Sequence, residues 1–162
     1  MPVDPRPLLV YILIGLGLGA CGASGEPFRR LETPDAGEAR LYILRPYQNV
    51  MIWSRPELEL LRYRESFSES DPTRVSAFSL ADGQYTLVRL QPGYHALGVV
   101  GRPETRKVLH IKQGQQLYYG VNYKSRGFFG RPDIFFIPLS KESALGALLR
   151  PPRMLEIPVP VD

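Results

Sequence analysis

Short apolar runs closed by turn residues fill the chain from Ala39 to Pro138. The first run, Arg40 to Leu44, ends at Arg45-Pro46. Later runs are Val75–Leu80, Tyr85–Leu90, His95–Val100, Lys107–Ile111, Leu117–Tyr123 and Ile134–Pro138. Short strands at a spacing of about 8–12 residues are typical of sandwiches and barrels. The pattern predicts an all-β fold, an antiparallel β-sandwich or partial barrel of about 7–8 short strands.

Glycine-containing turns separate several of these runs. Asp82-Gly83 lies between two strand-like runs and predicts a hairpin, because glycine accepts a positive φ. Pro92-Gly93 predicts the next turn, and Gln113-Gly114 predicts that the two runs around it pair with each other. Alternation after Gly83 predicts two opposed faces, one with Tyr85, Leu87 and Arg89 and the other with Thr86, Val88 and Leu90.

Three segments need separate interpretation. Pro56–Arg64 alternates at first and then places Leu61 beside Leu60, so it fits a helix as well; we favour a strand. Ser140–Arg150 predicts a short C-terminal helix with a serine cap, an acidic first turn, and leucines 145, 148 and 149 at helical spacing. The tail to Asp162 carries four prolines and is expected to be extended at the surface.

The amino-terminal segment carries the longest uncharged run. Leu8–Leu18 has eleven residues, about 17 Å of helix, whereas a bilayer-spanning helix needs about 20 residues. Its length is typical of a signal-peptide core. Residues 22–38 are rich in Gly, Pro, Ser and charge and span about 55 Å when extended, which is typical of a linker. The predicted organisation is a signal peptide at 1–20, a tether at 21–38, a β-sandwich domain at 39–139, and a helix with a Pro-rich tail at 140–162.

The only cysteine, Cys21, follows this run within Leu18-Gly19-Ala20-Cys21. This tetrapeptide resembles the lipobox of bacterial lipoproteins, in which the cysteine is lipidated and becomes the first residue. The resemblance implies more than one acyl chain, and two or more chains anchor a protein stably to a membrane. Gly22 replaces the aspartate that usually marks inner-membrane retention, which favours the outer membrane, facing the periplasm. The alternatives are a buried thiol or an uncleaved anchor.

Composition narrows the class of partner. Removal of residues 1–20 leaves 142 residues, enough for one core, and because it removes one acid and one base the net charge stays +4. A single cysteine excludes an internal disulfide in the chain. Export argues against nucleic acid, so the expected partners are the membrane through the lipid anchor and a periplasmic protein or an anionic cell-wall polymer.

Candidate catalytic chemistry is sparse. The chain has two histidines, His95 and His110, and contains neither an H-E-x-x-H motif, nor a G-x-S-x-G elbow, nor a phosphate-binding glycine loop. We therefore expect a non-enzyme with no catalytic residue, metal or cofactor. His95 follows the Pro92-Gly93 turn and is interpreted as a structural histidine bonded across the turn or to a neighbouring strand, with a ligand-binding or catalytic role as the alternative.

The strongest candidate binding segment is the loop after Tyr123. It combines three cationic residues, Lys124, Arg126 and Arg131, with two phenylalanines, Phe128 and Phe129. Aromatic and cationic side chains together suit an anionic glycan, a lipid surface or a partner protein. The alternative is a hairpin whose phenylalanines return to the core. The arginines at 40, 45, 62, 64, 89, 102 and 106 are expected to form a solvated face.

Motifs within residues 38–125 resemble one known family. Arg40–Pro46 matches the pattern R-x-Y-x-x-R-P, and Leu80–Tyr85 with Leu90–His95 matches G-x-Y followed by L-x-P-G-x-H. These motifs are similar to those of small bacterial envelope lipoproteins classed as a domain of unknown function, whose sandwich is similar to PEGA-type modules. Asn49–Asp71 departs from that pattern. The resemblance implies a sandwich in the cell envelope and no catalytic residue. The expected function of the domain is to bind or brace a periplasmic partner; the alternatives are a cell-wall or glycan-binding module that uses the 124–131 loop, and a subunit of a secretion or envelope assembly.

Overall fold

The structure, a computed structural model, describes residues 25–48, 54–124, 126 and 132–159. Its elements are β1 (Glu26–Pro27), β2 (Ala39–Arg45), β3 (Glu57–Tyr63), β4 (Thr73–Ser79), β5 (Gln84–Leu90), β6 (Gly93–Val99), β7 (Arg102–Ile111), β8 (Gln116–Lys124), β9 (Asp133–Pro138), α1 (Lys141–Leu149) and β10 (Leu155–Glu156). The predicted signal peptide at 1–20 lies outside the described residues.

The described strands form two sheets. One sheet has the order β1-β10-β5-β2-β8-β9, and the other has the order β4-β3-β6-β7. The two sheets pack face to face and do not close into a barrel, which confirms the all-β sandwich with a short C-terminal helix. The pairing is not wholly antiparallel, because β2 runs parallel to β8 and β10 runs parallel to β5.

The main core lies between the two sheets and takes alternate residues from β2 to β9. Leu41 and Ile43 from one sheet and Leu58 and Leu60 from the other belong to this cluster. Val88 and Leu90 of β5 also face it, whereas Tyr85 and Leu87 of the same strand face away. The predicted faces of β5 are therefore confirmed.

The second face of the larger sheet is covered by α1 and by the chain near Phe28. Ser140 caps α1, since its Oγ accepts the Ser143 amide at 3.1 Å, as the sequence predicts. The buried residues of α1 are Ala144 and Leu148, and Leu149 is 44% exposed. Of the three leucines at helical spacing, Leu148 is therefore buried, whereas Leu149 lies at the surface. At nine residues, α1 is well short of a bilayer-crossing helix, and no other described helix meets that requirement either.

The strand interpretation of Pro56–Arg64 is confirmed by β3. Its adjacent leucines face opposite sides: Leu60 enters the main core, and Leu61 packs with Tyr63 and Ala96 on the outer face. Phe67, from the β3–β4 connection, packs on this outer cluster. A strand buried on both faces reads as a continuous apolar run, which explains why a helix fitted the sequence as well.

The predicted hairpins were wrong. β4 and β5 flank Asp82-Gly83 but belong to different sheets, and so do β7 and β8 around Gln113-Gly114. Gly83 has the positive φ of 75° that the turn requires, yet the turn carries the chain from one sheet to the other. Turn chemistry fixes a local reversal, whereas strand pairing depends on which faces the rest of the chain buries.

Residues 25–38, the described part of the predicted tether, pack against the sheets. Glu26 and Pro27 pair with β10, and the Phe28 amide donates to the Met154 carbonyl at 2.9 Å. The Phe28 ring is 1% exposed and meets the Tyr85 ring edge-on at 5.7 Å. The tail likewise contributes β10 and the fully buried Met154 instead of lying only at the surface.

Candidate functional site

The predicted binding loop lies mostly outside the described residues. The residues of the loop that lie outside the described part of the chain are Phe128, Phe129 and Arg131. The predicted lipidation site Cys21 also lies outside it. Lys124 is an exposed residue at the end of β8. The exposed Arg126 donates to Asp133 at 2.8 Å, and this hydrogen bond holds the pKa of the Asp133 carboxyl below its usual value.

A cleft of about 360 Å³ opens at one end of the sandwich, where both sheets contribute to its walls. The smaller sheet supplies residues of β3, β4 and β6, and the larger sheet supplies the end of β5 and the residue before β2. Its lining consists of Glu38, Arg62, Thr73, Arg74, Val75, Arg89, Leu90, Gln91 and His95. The cleft therefore combines apolar walls with several cationic side chains.

Arg62 and His95 meet in this cleft because β3 pairs with β6. They are directly opposite residues in that antiparallel pair. Arg62 continues the alternation of Leu58 and Leu60, and His95 begins the alternation that continues at Leu97, so both lie on the inner face of the sheet. Here, at the end of the core, His95 is 1% exposed and Arg62 is exposed.

The His95 ring is fixed by the turn that precedes it. Its Nε2 lies 3.0 Å from the carbonyl oxygen of Gln91, which only accepts, so Nε2 is the donor. The predicted bond across the turn is present. Among the described residues, the buried Nδ1 has no hydrogen-bond partner. Burial lowers the pKa of His95 from its ordinary value of 6.5, and the Arg62 charge lowers it further, while the bond to Gln91 acts in the opposite direction.

Most charges in the cleft are compensated by residues outside it. Arg74 pairs with Glu59 at 3.2 Å, and Arg89 pairs with Glu32 at 3.1 Å. The carboxylate of Glu38 accepts from Arg40 at 2.5 Å. Within the described part of the chain, no carboxylate lies within 4.0 Å of the Arg62 guanidinium. Arg62 is therefore the uncompensated cation of the cleft.

The expectation of a solvated arginine face was wrong for two of its members. Arg40 is 2% exposed and binds Asp35 and Glu38, at 2.7 and 2.5 Å. Arg45 is fully buried, donates to the carbonyl oxygens of Ser54 and Leu80, and lies 4.6 Å from the centre of the Tyr123 ring. Both belong to β2, which has neighbours on both edges, and buried charges of this kind require partners. These two arginines are therefore part of the packed interior and not of a solvated face.

The described residues contain no group of three or more His, Cys, Asp or Glu side chains arranged to hold a metal ion.

Sequence reasoning did not find the cleft, although it singled out His95. The available signal was alternation: Arg62 ends one inward-facing series and His95 begins another. The missing information was the pairing of β3 with β6, which no local motif encodes. Comparison of the chain with protein-family models, curated proteins and solved structures gives no match.

Proposed function

We propose that this chain is a lipid-anchored, non-catalytic protein of the bacterial envelope, attached through Cys21 to the outer membrane on its periplasmic side. Its β-sandwich binds or braces a partner in the periplasm. The lipobox-like sequence before Cys21 supports the anchor, and the cleft at the end of the sandwich supplies a place where a ligand can bind.

The observation that carries the anchor is the lipobox-like sequence Leu18–Cys21, and the docking of the chain at Gly25 sets how far the folded domain lies from it. Gly25 has a φ of 147°, and a Cβ built on it would lie 2.4 Å from the Glu156 carbonyl oxygen. Only glycine fits this close approach, and the next two residues pair with β10. The folded body therefore begins four residues after Cys21, and not at the end of a long tether.

This short connection limits the distance between the membrane and the domain. Four residues span at most about 14 Å when fully extended. A lipid on Cys21 then holds the β1–β10 edge near the headgroups. The cleft lies at the other end of β5 and therefore farther from the membrane than the β1–β10 edge.

The experiment is fractionation of cells that produce the full chain or its Cys21→Ser variant. We expect the wild-type chain in the membrane fraction. Its intact mass is expected to show cleavage before Cys21 and added acyl chains. The variant is expected to lose this modification and the membrane association that depends on it. Ser24→Ala, three residues away, is the control, and this variant is expected to be cleaved, acylated and membrane-bound like the wild-type chain.

Two results contradict the anchor: an unprocessed, unacylated chain, or a Cys21→Ser variant that remains with membranes to the same extent. Crosslinking in cells, followed by mass spectrometry of the membrane-bound protein, then tests the binding role. A reproducible crosslinked partner supports it, whereas turnover of a small molecule by the purified protein contradicts the non-catalytic assignment.

A further inference from the structure

We propose that the cleft binds a monocarboxylate that bears an aliphatic group. Arg62 holds the carboxylate, and apolar side chains from both sheets hold the aliphatic part. This inference deepens the proposed function and relies on it only for placing the ligand in the envelope.

The charge of the cleft points to a single negative group. Arg74, Arg89 and Glu38 belong to two ion-pair networks, which together hold four arginines (40, 74, 89 and 106) and four carboxylates (32, 35, 38 and 59). This leaves Arg62 as the one charge without a partner among the described lining residues. A guanidinium binds a carboxylate through two parallel N–H···O bonds. A ligand with one carboxylate thus balances the charge, whereas a dianion leaves an excess negative charge.

The walls point to an aliphatic substituent. Leu90 comes from the larger sheet and belongs to the main core, and Val75 comes from the smaller sheet and packs partly buried against that core. Small-molecule sites are typically clefts of about 300–1,000 Å³ with apolar walls and few polar groups. A cleft of about 360 Å³ lies at the lower end of that range and suits a short aliphatic group.

His95 gives independent support for a ligand. Its Nδ1 is buried and lacks a hydrogen-bond partner among the described residues, and because Nε2 donates to Gln91 this atom becomes a donor only when the ring takes up a proton. The charged groups that surround it in the cleft are Arg62 on β3, Arg74 on β4, Arg89 on β5 and Glu38 before β2. A carboxylate beside Arg62 offsets the positive charge that opposes protonation of His95 and offers an acceptor to a proton on Nδ1.

The test uses the full-chain protein as purified from cells, from whichever fraction contains it, with isotope-labelled histidine. Acetate, octanoate, N-acetylleucine and inorganic phosphate are titrated while the imidazole signals are followed by NMR. The chain has two histidines, so the His110 signal reports general effects of salt. Sodium chloride at matched ionic strength is the second control.

We expect saturable shifts of the His95 signals with acetate, at a dissociation constant of about 1 mM, and tighter binding of octanoate or N-acetylleucine. Octanoate as the tighter ligand identifies a fatty acid as the source of the carboxylate, and N-acetylleucine identifies a peptide terminus.

Arg62→Gln is expected to weaken binding about tenfold or more, because it removes a charge-assisted pair. Arg64→Gln, an exposed arginine outside the lining, is expected to leave affinity unchanged. Saturating acetate is expected to move the His95 titration midpoint to higher pH. In the Arg62→Gln variant, addition of acetate is expected to leave the midpoint where it is without acetate.

Three results overturn the inference. They are equal affinity in the Arg62→Gln variant, tighter binding of phosphate than of octanoate and N-acetylleucine, or His95 signals that respond no more to carboxylates than to chloride. None of these results depends on acylation of Cys21, so failure of the anchor and failure of the ligand assignment are distinguishable.

Discussion

Arg62 and His95 face each other across the β3–β6 pair, the arginine exposed and the histidine buried at the same end of the core. Burial lowers the pKa of the His95 imidazole and the neighbouring guanidinium lowers it further, because both disfavour the imidazolium. This relationship links the candidate site to the stability of the fold.

The first prediction concerns stability against pH. The pKa of His95 is lowered in the folded state, so the unfolded chain binds more protons below about pH 6.5. The contribution of His95 to the free energy of unfolding is therefore complete above that pH and is lost as the pH falls through the lowered pKa. Denaturant unfolding between neutral and mildly acidic pH measures the slope. His95→Gln is expected to reduce this slope, and an equal reduction in the control His110→Gln counts against the assignment.

The second prediction concerns the docking of β1. Gly25→Ala places a Cβ against the Glu156 carbonyl, and the added backbone strain is about 1–3 kcal/mol, so β1 is expected to detach from β10. Hydrogen exchange at the Phe28 amide, which donates to Met154, reports this directly. Gly93→Ala is the matched control, because Gly93 has a similar φ of 139° and no atom within 4 Å of the added Cβ. Unchanged exchange at the Phe28 amide in the Gly25→Ala variant contradicts the requirement for glycine at this position.

The third prediction concerns Phe28, which fills the space between the larger sheet and the tail. Phe28→Ala removes a ring that is 1% exposed and is expected to lower the free energy of unfolding by about 3–5 kcal/mol. Phe135→Ala, at a ring that is 40% exposed, is expected to cost about 0.5 kcal/mol or less. Chemical denaturation measures both. Equal small losses mean that residues 25–38 act as a loose linker.

The fourth prediction concerns the buried guanidinium of Arg40. Arg40→Gln leaves the carboxylates of Asp35 and Glu38 without their partner and is expected to cost about 2–3 kcal/mol, less than a fully buried pair because the acids are partly exposed. Arg89→Gln breaks an exposed pair with Glu32 and is expected to cost less than about 1 kcal/mol. Unfolding curves at low and high salt measure both losses. Similar values for the two variants contradict a structural role for Arg40.

The sequence predicted the strands better than it predicted their neighbours. Period-two alternation placed Val88 and Leu90 on one face and Tyr85 on the other, and the structure agrees. The Asp82-Gly83 turn was also located correctly, but its flanking strands belong to separate sheets. Alternation and turns are local properties, whereas pairing is a choice among distant strands with similar patterns.

By itself, the sequence determined the all-β class, the position of most strands, the capped helix at Ser140, and the hydrogen-bonded role of His95. Each of these follows from residues within a few positions of one another. Only the tertiary structure decided that β1 docks on β10, that Arg40 and Arg45 are buried, and that Arg62 stands opposite His95 in a cleft. These features join residues far apart in the chain, and their energies depend on the complete packed sandwich, which no single segment encodes.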